Sequence, residues 1–345
     1  MGVQVPKDLR GGLVSIGLPV YNGARYLREA LDSLLAQEYQ DFEIIISDNA
    51  SEDDTGEICR EYAARDARVS YYKSEQNRGP LWNAIRVYEL ARGEYFMWAA
   101  HDDRRHPQYL SRCVPVLDSN PRALFCCTGV RLIDEIGHDI SETFPYQSYQ
   151  PTGATPRERL RALIRSTSWF HIYSLMRTPA LAQTVLGSHM WGADVVMMAD
   201  LCLRGEGVGV PDKLFDYRCF AAKTNEVLAQ GLGNSEVGVS VSWSDLAADL
   251  VESVRRSPLS FPKKLRLQWM IAAELCLRNA AIGRAMRVEG FEASRRALAG
   301  GKYRRAMTLA SIRILKQPAY FVERVVNSAR YRGSKLKKAL FPAST

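Results

Sequence analysis

The sequence lacks both paired cysteines and long apolar runs. Its seven cysteines form no Cys-x-x-Cys pair, and most of them lie in apolar stretches such as residues 124–127. A disulfide framework or a zinc site would need closer, paired spacing. No apolar run approaches the roughly 18 residues of a membrane-spanning helix, and the first residues lack the apolar core of a signal peptide. We therefore expect a cytoplasmic protein with reduced thiols and no transmembrane segment.

Acidic residues are scarce in the last part of the chain. The net charge of the 345 residues is +8. Residues 301–345 contain eleven Lys or Arg and a single acid, so the net charge of residues 1–300 is −2. A basic segment of this kind attracts polyanions such as anionic lipid headgroups or nucleic acid.

The first 130 residues alternate between strand and helix patterns. Strands are predicted at residues 13–18, 42–46, 69–73 and 95–100, and helices at residues 24–37, 53–64, 80–92 and 108–119. Such alternation predicts βαβ units, and therefore an α/β fold with a mainly parallel sheet flanked by helices. The nearly continuous apolar strands indicate a sheet that is covered on both faces.

The pattern is less regular after this part. We predict a strand at 123–128, a hairpin at 130–140, a helix from 155, a strand at 171–177, a helix at 193–204 and an extended segment at 211–220. From residue 244 onward the pattern predicts helices alone, with a break at 257–258. The sequence thus predicts an α/β domain over residues 1–235 and a helical, basic region over residues 236–345.

Polar residues follow each of the first four predicted strands, at residues 19–23, 48–53, 77–79 and 101–103. In open α/β sheets, ligands bind at the carboxyl ends of the strands. Asp, Asn and Gly also form ordinary turns, so one such segment by itself indicates little. Four in succession favour a ligand site.

Asp102 and Asp103 form the strongest candidate cation site. Adjacent carboxylates repel each other unless a positive charge lies beside them, and Mg²⁺ binds through one or two carboxylates plus substrate phosphates. The alternative is a solvated loop that Arg104 and Arg105 neutralise. The spacing of the nearby histidines does not match a zinc site.

These segments resemble the motifs of family-2 glycosyltransferases, which have the GT-A fold. The resemblance is carried by residues 14–22, by residues 47–55, by Asn77 to Gly79 with Asn83, and by residues 98–103, where the family has its DxD-type metal motif. It covers roughly residues 12–222. It implies a donor half at about 12–130 and an acceptor half at about 131–235.

The resemblance also implies roles for individual residues. Pro19 and Tyr21 would line the nucleotide pocket, and Asp48 would hydrogen-bond the base. Asp102 would hold the ribose or pyrophosphate, and Asp103 would ligate a divalent cation, Mn²⁺ or Mg²⁺. His101 replaces the commoner acidic residue, so the division of labour between the two carboxylates stays open. Further donor-site residues would be Asn49, Ser51, Asn77, Gly79, Asn83 and, near the pyrophosphate, Arg218.

The resemblance places the general base in the acceptor half, at Asp194. The alternative is that Asp194 caps its helix, a common role for Asp. Asp200 does not match the family position. His171 is a further candidate for contact with the acceptor or a phosphate, although a buried core histidine is an equally good interpretation.

The expected activity is inverting, metal-dependent transfer of a single sugar, since the QxxRW signature of processive synthases is absent. The expected donor is a nucleotide-sugar, with UDP as the commonest nucleotide. The expected acceptor is a glycan or a lipid-linked molecule in cell-surface polysaccharide or glycolipid synthesis.

Two other functions are open at this point. A sugar nucleotidyltransferase would want a Gly-rich basic loop after the first strand, and residues 21–25 are poor in glycine. A nucleic-acid-binding protein would want interleaved basic and aromatic residues, and it would leave Asp102 and Asp103 unexplained. We therefore expect no nucleic-acid partner.

Residues 319–345 combine basic and apolar side chains in a pattern that fits a helix on an anionic membrane surface. The alternative is a solvated basic helix that packs on the protein by its apolar side. Because the resembled family includes enzymes that extend lipid-linked glycans, we favour peripheral contact with the inner membrane face.

Overall fold

The computed structural model describes residues 6–142, 150–166, 170–184, 192–220 and 243–277. The strands are β1 (Arg10–Val20), β2 (Phe42–Asp48), β3 (Val69–Lys73), β4 (Gly93–Trp98), β5 (Arg104–Arg105), β6 (Ala123–Ile133), β7 (Leu175–Arg177) and β8 (Glu206–Arg218). The helices are α1 (Ala24–Leu35), α2 (Thr55–Arg65), α3 (Pro80–Glu89), α4 (Tyr109–Asp118), α5 (Pro156–Arg165), α6 (Thr178–Leu181), α7 (Ala193–Arg204), α8 (Trp243–Arg256) and α9 (Phe261–Leu277).

The eight strands form one sheet in the order β3-β2-β1-β4-β7-β6-β8-β5. β1 pairs in parallel with β2 and β4, and β2 pairs in parallel with β3. Val20 lies opposite Asp48, which in turn lies opposite Lys73. The parallel direction therefore brings the ends of the first four strands to one edge of the sheet, as the sequence predicts.

The burial of the strands explains their apolar sequences. All seven residues of β2 are buried, so neither of its faces meets solvent. Helix α1 buries Leu27, Leu31 and Leu34, which recur at helical spacing and share a core with Ile44 of β2. The α/β fold class predicted from the alternation of strands and helices is confirmed.

The second half of the sheet is mixed. β7 pairs antiparallel with both β4 and β6, while β6 and β8 run parallel over most of their length. The strand predicted at 171–177 is shorter than expected, because Phe170–Tyr173 forms a 3₁₀ turn and Leu175–Arg177 alone is extended. The aromatic rings of this turn pack against β8, with the centroids of Phe170 and Tyr217 4.4 Å apart. Tertiary packing thus overrides the β propensity of this apolar segment.

The hairpin predicted at 130–140 is present in short form. β6 continues to Ile133, and Ile133 forms an isolated antiparallel bridge with Asp139. The carboxylate of Asp134 accepts from the N–H groups of Ile136 and His138, 3.0 and 2.8 Å away. Asp134 thus forms the side-chain hydrogen bonds by which Asp stabilises turns.

Helix starts and stops also follow the sequence. Thr155 accepts from the N–H of Glu158 and Glu158 accepts from the N–H of Thr155, which is a complete capping box at the start of α5. The predicted break at 257–258 separates α8 from α9, where the N–H of Ser257 donates to the carbonyl of Ser253 over 3.0 Å.

The chain divides into two compact units, one from residues 1–241 with 252–264 and the other from residues 242–251 with 265–345. The predicted boundary near residue 235 stays a prediction. Among the described residues, no helix combines the length and the apolar content needed to cross a membrane. Among the described residues, Cys59, Cys113, Cys126, Cys127 and Cys202 are buried thiols.

Candidate active site

Hydrogen bonds join the loops that follow β1 and β2. The N–H of Asn22 donates to Ser51 Oγ, and Asn22 Oδ1 accepts from the N–H of Glu52, each over 2.9 Å. The N–H of Gly23 donates to Thr55 Oγ1 over 2.9 Å. Asn22 has a φ of 49°, a left-handed conformation that Asn adopts more readily than most residues. The two loops therefore form one connected polar segment at the sheet edge.

Asp48 ends β2 and is fully buried. Its Oδ1 accepts from the N–H of Ser51 and its Oδ2 from the hydroxyl of Tyr71, each over 2.8 Å. Burial, together with this hydrogen bond, raises the pKa of Tyr71. Ala50 has a φ of 64°, which is strained for a residue with a Cβ. Asp48 thus stabilises a strained loop, and its hydrogen bond to a base stays a prediction.

Asn49 ties the loop after β2 to the loop after β3. Its Nδ2 donates to Asn77 Oδ1 over 2.7 Å, and its Oδ1 accepts from the N–H of Arg78 over 2.9 Å. Asn77 Oδ1 also accepts from the N–H of Gly79 over 2.9 Å. Gly79, with a φ of 86°, is the N-cap of α3. The structure thus brings together Asn49, Asn77 and Gly79 of the predicted donor site. Among them, the side chain of Asn77 is exposed.

Asn83 is buried at the ends of the first two strands. It is 2% exposed, and its Nδ2 donates to the carbonyls of Ser47 and Val20 over 2.8 and 3.3 Å. These bonds hold together the ends of β1 and β2. The structure therefore shows a positioning role for Asn83, and its direct contact with a donor stays a prediction.

Asp102 and Asp103 follow β4 and are both buried, with 7% and 4% of their surface exposed. Asp103 Oδ1 accepts from the N–H of Arg218 over 2.9 Å. The carbonyl of Asp102 accepts from Arg218 Nε over 2.8 Å. This burial excludes the alternative of a solvated loop, and the end of β8 positions both acids.

Arg218 is occupied by acceptors within the protein. Its Nη1 donates to the carbonyls of Asp134 and Glu135 over 3.2 and 3.0 Å, and its Nη2 donates to Glu29 Oε2 over 2.6 Å. The guanidinium also lies over the ring of Tyr26, 4.6 Å from the centroid. Because Arg218 is 2% exposed, its predicted contact with pyrophosphate is not supported by the structure. Arg218 instead holds the loop of the acidic pair.

Glu29 of α1 extends this arrangement. Its Oε1 accepts from Arg104 Nη1 over 2.9 Å, so that Glu29 bridges Arg104 and Arg218. Arg104 also donates to Asp216, over 3.2 Å, and Arg131 donates to the same carboxylate over 2.7 Å. The sequence pattern did not indicate Glu29, because its spacing on α1 is that of an ordinary solvent-facing residue.

Arg105 follows Asp103 by two residues, and it is 3% exposed. Its guanidinium lies over the ring of Phe215, 3.6 Å from the centroid, and near the ring of Tyr109. Burial lowers the pKa of Arg105, and the charge of Asp103 acts in the opposite direction. Arg105 therefore contributes positive charge near Asp103 without being a solvated counter-ion.

A cavity of about 330 Å³ opens beside the acidic pair. Its polar lining includes His101, Asp102 and Asp194, and Pro19 lies at the same space. The rest of the described lining is mainly apolar: Leu81, Ala84, Ile85, Trp98, Ile172 and Met197. Tyr21, at the end of β1, is 43% exposed. Asp102 and Asp194, which are far apart in sequence, therefore line one space.

Asp194 lies in the first turn of α7, where Gly192 with a φ of 76° occupies the N-cap position. Asp194 is therefore not the N-cap residue itself, although its carboxylate lies at the start of the helix, and its role as the base stays a prediction. Burial raises the pKa of Asp194, and backbone N–H groups of the helix start act in the opposite direction. A carboxylate with a raised pKa is a stronger base and is common at catalytic positions.

His171 and Asp200 do not line this cavity. His171 is 5% exposed and lines a separate small cavity with Thr128 and Phe215. Asp200 is fully buried, and its Oδ1 is paired with Arg204 over 3.1 Å. Of these three residues, Asp194 lines the cavity next to Asp102.

The acidic pair suits a cation that shares its ligands with a substrate. Among the described residues, no group of three or more His, Cys, Asp or Glu side chains is arranged to hold a metal ion by itself. Mg²⁺ and Mn²⁺ prefer oxygen ligands, and at phosphate-binding sites one or two carboxylates with substrate phosphates suffice. Asp102 and Asp103 supply that donor set, so the residues fit such an ion.

Comparison with known proteins agrees with this geometry. Residues 15–181 match the family model Glycosyl transferase family 2. A protein of Rickettsia typhi described as an uncharacterized glycosyltransferase is 38% identical over 140 residues, which is 40% of this chain and 42% of that protein. This chain thus spans less than half of that relative. The matched part of the chain belongs to glycosyl transferase family 2.

Solved structures show the same fold. Residues 1–349 of S. aureus TarS align with a TM-score of 0.62 at 16% identity, covering 93% of this chain and 91% of that one. The same segment in complex with UDP-GlcNAc aligns with a TM-score of 0.59 at 16% identity, covering 89% and 91%. At this level of identity the likeness is one of fold, and it confirms the predicted GT-A architecture.

Proposed function

We propose that the protein is an inverting glycosyltransferase that transfers a single sugar from a nucleotide-sugar to a hydroxyl group of an acceptor. The observation that carries the proposal is the shared cavity of Asp102 and Asp194. One carboxylate belongs to a motif suited to a cation and a diphosphate, and the other has a raised pKa. Direct displacement at a sugar carbon needs one base and no covalent nucleophile, and this pair meets that need.

The donor we propose is a UDP-sugar bound with Mn²⁺ or Mg²⁺. The TarS structure with UDP-GlcNAc supports a nucleoside diphosphate sugar as the donor class for this fold. Asp103, together with Asp102, would hold the cation. When bound, the cation would offset the negative charge that develops on the departing diphosphate.

Other residues of the chain bind the nucleotide, accept the proton and exclude water. Pro19, Tyr21 and Asn77 bind the nucleotide at the ends of β1 and β3. Asp194 accepts the proton of the acceptor hydroxyl as that oxygen bonds to the sugar carbon. The apolar lining of the cavity removes water and so strengthens the electrostatic interactions inside it.

The proposed acceptor is a hydroxyl of a glycan or a glycolipid, in the synthesis of cell-surface polysaccharide or glycolipid. The segment 319–345, for which the sequence predicts contact with an anionic membrane, lies outside the described residues. That contact stays a prediction.

A panel of nucleotide-sugars tests the proposed function. Each is mixed with the protein and Mn²⁺, and thermal stabilisation identifies the donor, since a ligand at 100 times its Kd stabilises by about 2.7 kcal/mol. Release of nucleoside diphosphate in the presence of candidate acceptors then measures transfer. We expect a UDP-sugar to stabilise the protein. Stabilisation by a nucleoside triphosphate with a sugar phosphate, and by no nucleotide-sugar, would instead indicate a nucleotidyltransferase.

A further inference from the structure

Helix α9 exposes a row of large apolar side chains. Phe261, Leu265 and Trp269 are 77%, 46% and 51% exposed. Residues four apart lie on the same side of a helix, so these three form a continuous strip that we call the α9 stripe. Ala273, one turn further along, is also exposed.

The other side of α9 is apolar as well. Leu267, Met270 and Ile271 are buried, with 3%, 5% and 0% of their surface exposed. A surface helix needs one apolar face to pack on its protein, and its solvent face is normally polar. The α9 stripe is therefore a second apolar face without a core function, and clustered exposed apolar groups of this kind mark interaction surfaces.

Positive charge surrounds the α9 stripe. No acid occurs between Glu252 and Glu274, and that interval contains five cations: Arg255, Arg256, Lys263, Lys264 and Arg266. At 100° per residue, Arg266 borders the stripe on one side and Lys264 on the other, whereas Lys263 lies on the opposite side of the helix. Lys264 Nζ donates to the carbonyl of Arg255 over 2.7 Å, which holds it beside the start of the helix.

The positive charges beside the α9 stripe exclude some binding partners. Residues 301–345 of the chain have eleven Lys or Arg and one acid, so this segment would bring cations against cations. A second copy related by a two-fold axis would do the same, because such an interface pairs one patch with itself. Nucleic acid would neutralise the cations but would leave three large apolar side chains without an apolar partner.

An anionic lipid bilayer satisfies both features. Helices that lie in the membrane interface insert aromatic and aliphatic side chains to a depth of about 5–10 Å while flanking Lys and Arg contact anionic headgroups. Trp is enriched at this depth because its ring is amphipathic. We propose that the α9 stripe and its flanking cations bind an anionic membrane surface, with α9 lying in the plane of the interface. This membrane contact goes beyond the proposed sugar transfer and does not depend on it.

Vesicle binding by the full chain tests the proposal. We expect sedimentation with vesicles of phosphatidylglycerol and phosphatidylcholine, and little with phosphatidylcholine alone. The triple variant Phe261→Ser/Leu265→Ser/Trp269→Ser should bind at least about tenfold more weakly, because the inserted apolar area is lost. The matched control is Tyr72→Ser/Ile136→Ser, which removes exposed apolar side chains elsewhere (38% and 75% exposed) and should bind like the wild type.

A second measurement keeps the test valid if the triple variant does not fold. Brominated lipids quench tryptophans that enter the bilayer, so they should quench the wild type clearly more than Trp269→Phe. In a full-length background of Lys335→Gln/Lys337→Gln/Lys338→Gln, which weakens the basic tail, the triple substitution should have the same effect. If the wild-type protein does not sediment with anionic vesicles, the proposal is wrong. Equal quenching of the wild type and Trp269→Phe would also overturn it. A wild-type dimer that the triple variant converts to a monomer would show a protein interface instead.

Discussion

The N–H of Arg218, at the end of β8, donates to Oδ1 of Asp103 over 2.9 Å, across 115 residues of sequence. The side chain of Arg218 holds the carbonyl of Asp102 in the same way. The acidic pair is therefore positioned by the last strand of the sheet. Because Glu29 binds the far side of Arg218, the first helix also takes part.

The Glu29–Arg218 contact predicts an effect on metal binding. Glu29→Gln removes the charge opposite the buried guanidinium but keeps a similar shape. We expect metal-dependent affinity for UDP to fall about tenfold, since residues that orient a ligand typically contribute 10- to 100-fold in metal affinity. Glu61→Gln is the matched control, because Glu61 forms a surface ion pair with Arg28 at a similar exposure, 39% against 42%. Equal affinities for the two variants would show that Glu29 has a structural role only.

Asp103 should be required for the metal-dependent part of donor binding. An amide ligates a hard cation weakly, whereas the side-chain oxygen of Asn can still accept from the N–H of Arg218. We therefore expect Asp103→Asn to fold normally and to lose most of the gain in UDP affinity that Mn²⁺ gives the wild type. Calorimetry with and without Mn²⁺ measures this gain. An unchanged gain in the variant would contradict the assignment of Asp103 as a metal ligand.

Asp194 should be required for turnover. A general base contributes typically 10²- to 10⁴-fold in rate, and Asn cannot accept the proton. Asp194→Asn should therefore lose at least about a hundredfold in kcat while its affinity for UDP changes little. Asp212→Asn is the control, because Asp212 is exposed and paired with Arg112 on the surface. Asp200 is a poor control, since it is fully buried and ion-paired. Retention of more than about a tenth of the wild-type kcat would exclude Asp194 as the base.

Asp194 also predicts a pH dependence. Burial raises its pKa, so between the ordinary value and the raised value the folded protein binds more protons than the unfolded chain. The contribution of Asp194 to stability therefore falls as pH rises through this window. Asp194→Asn should melt at a higher temperature than the wild type at pH 8, and this difference should shrink at pH 4. The kcat of the wild type should fall as pH decreases through the raised pKa. A melting difference that does not vary with pH would contradict the raised pKa.

Much of the fold follows from local pattern. The predicted strand at 69–73 coincides with β3, and the predicted helix at 193–204 coincides with α7. The period of apolar residues determines such elements, because each must bury one face or both. The polar residues after the first four strands also lie at one edge, as expected, because parallel strands end on the same side.

The local sequence pattern did not predict those contacts and conformations that depend on packing between distant segments. Asp48 and Asn83 carry the polar side chains expected of a donor site, yet their hydrogen bonds connect neighbouring loops and strands. Residues 170–173 have an apolar, aromatic sequence that is compatible with a strand, and contacts with β8 turn them into a 3₁₀ turn. The spacing of residues along the chain does not predict which distant residue a buried amide will hydrogen-bond or a buried ring will pack against.

The sequence by itself determined the α/β class, the order of the first strands and helices, and the placement of Asp102 and Asp103 at the end of β4. The tertiary structure decided that Arg218 and Glu29 hold this acidic pair, and that Asp194 lines the same cavity as Asp102. It also decided that the stripe of α9 is exposed. The reason is that periodicity is a local property of the chain, whereas burial and hydrogen-bond partners depend on which distant segments pack together.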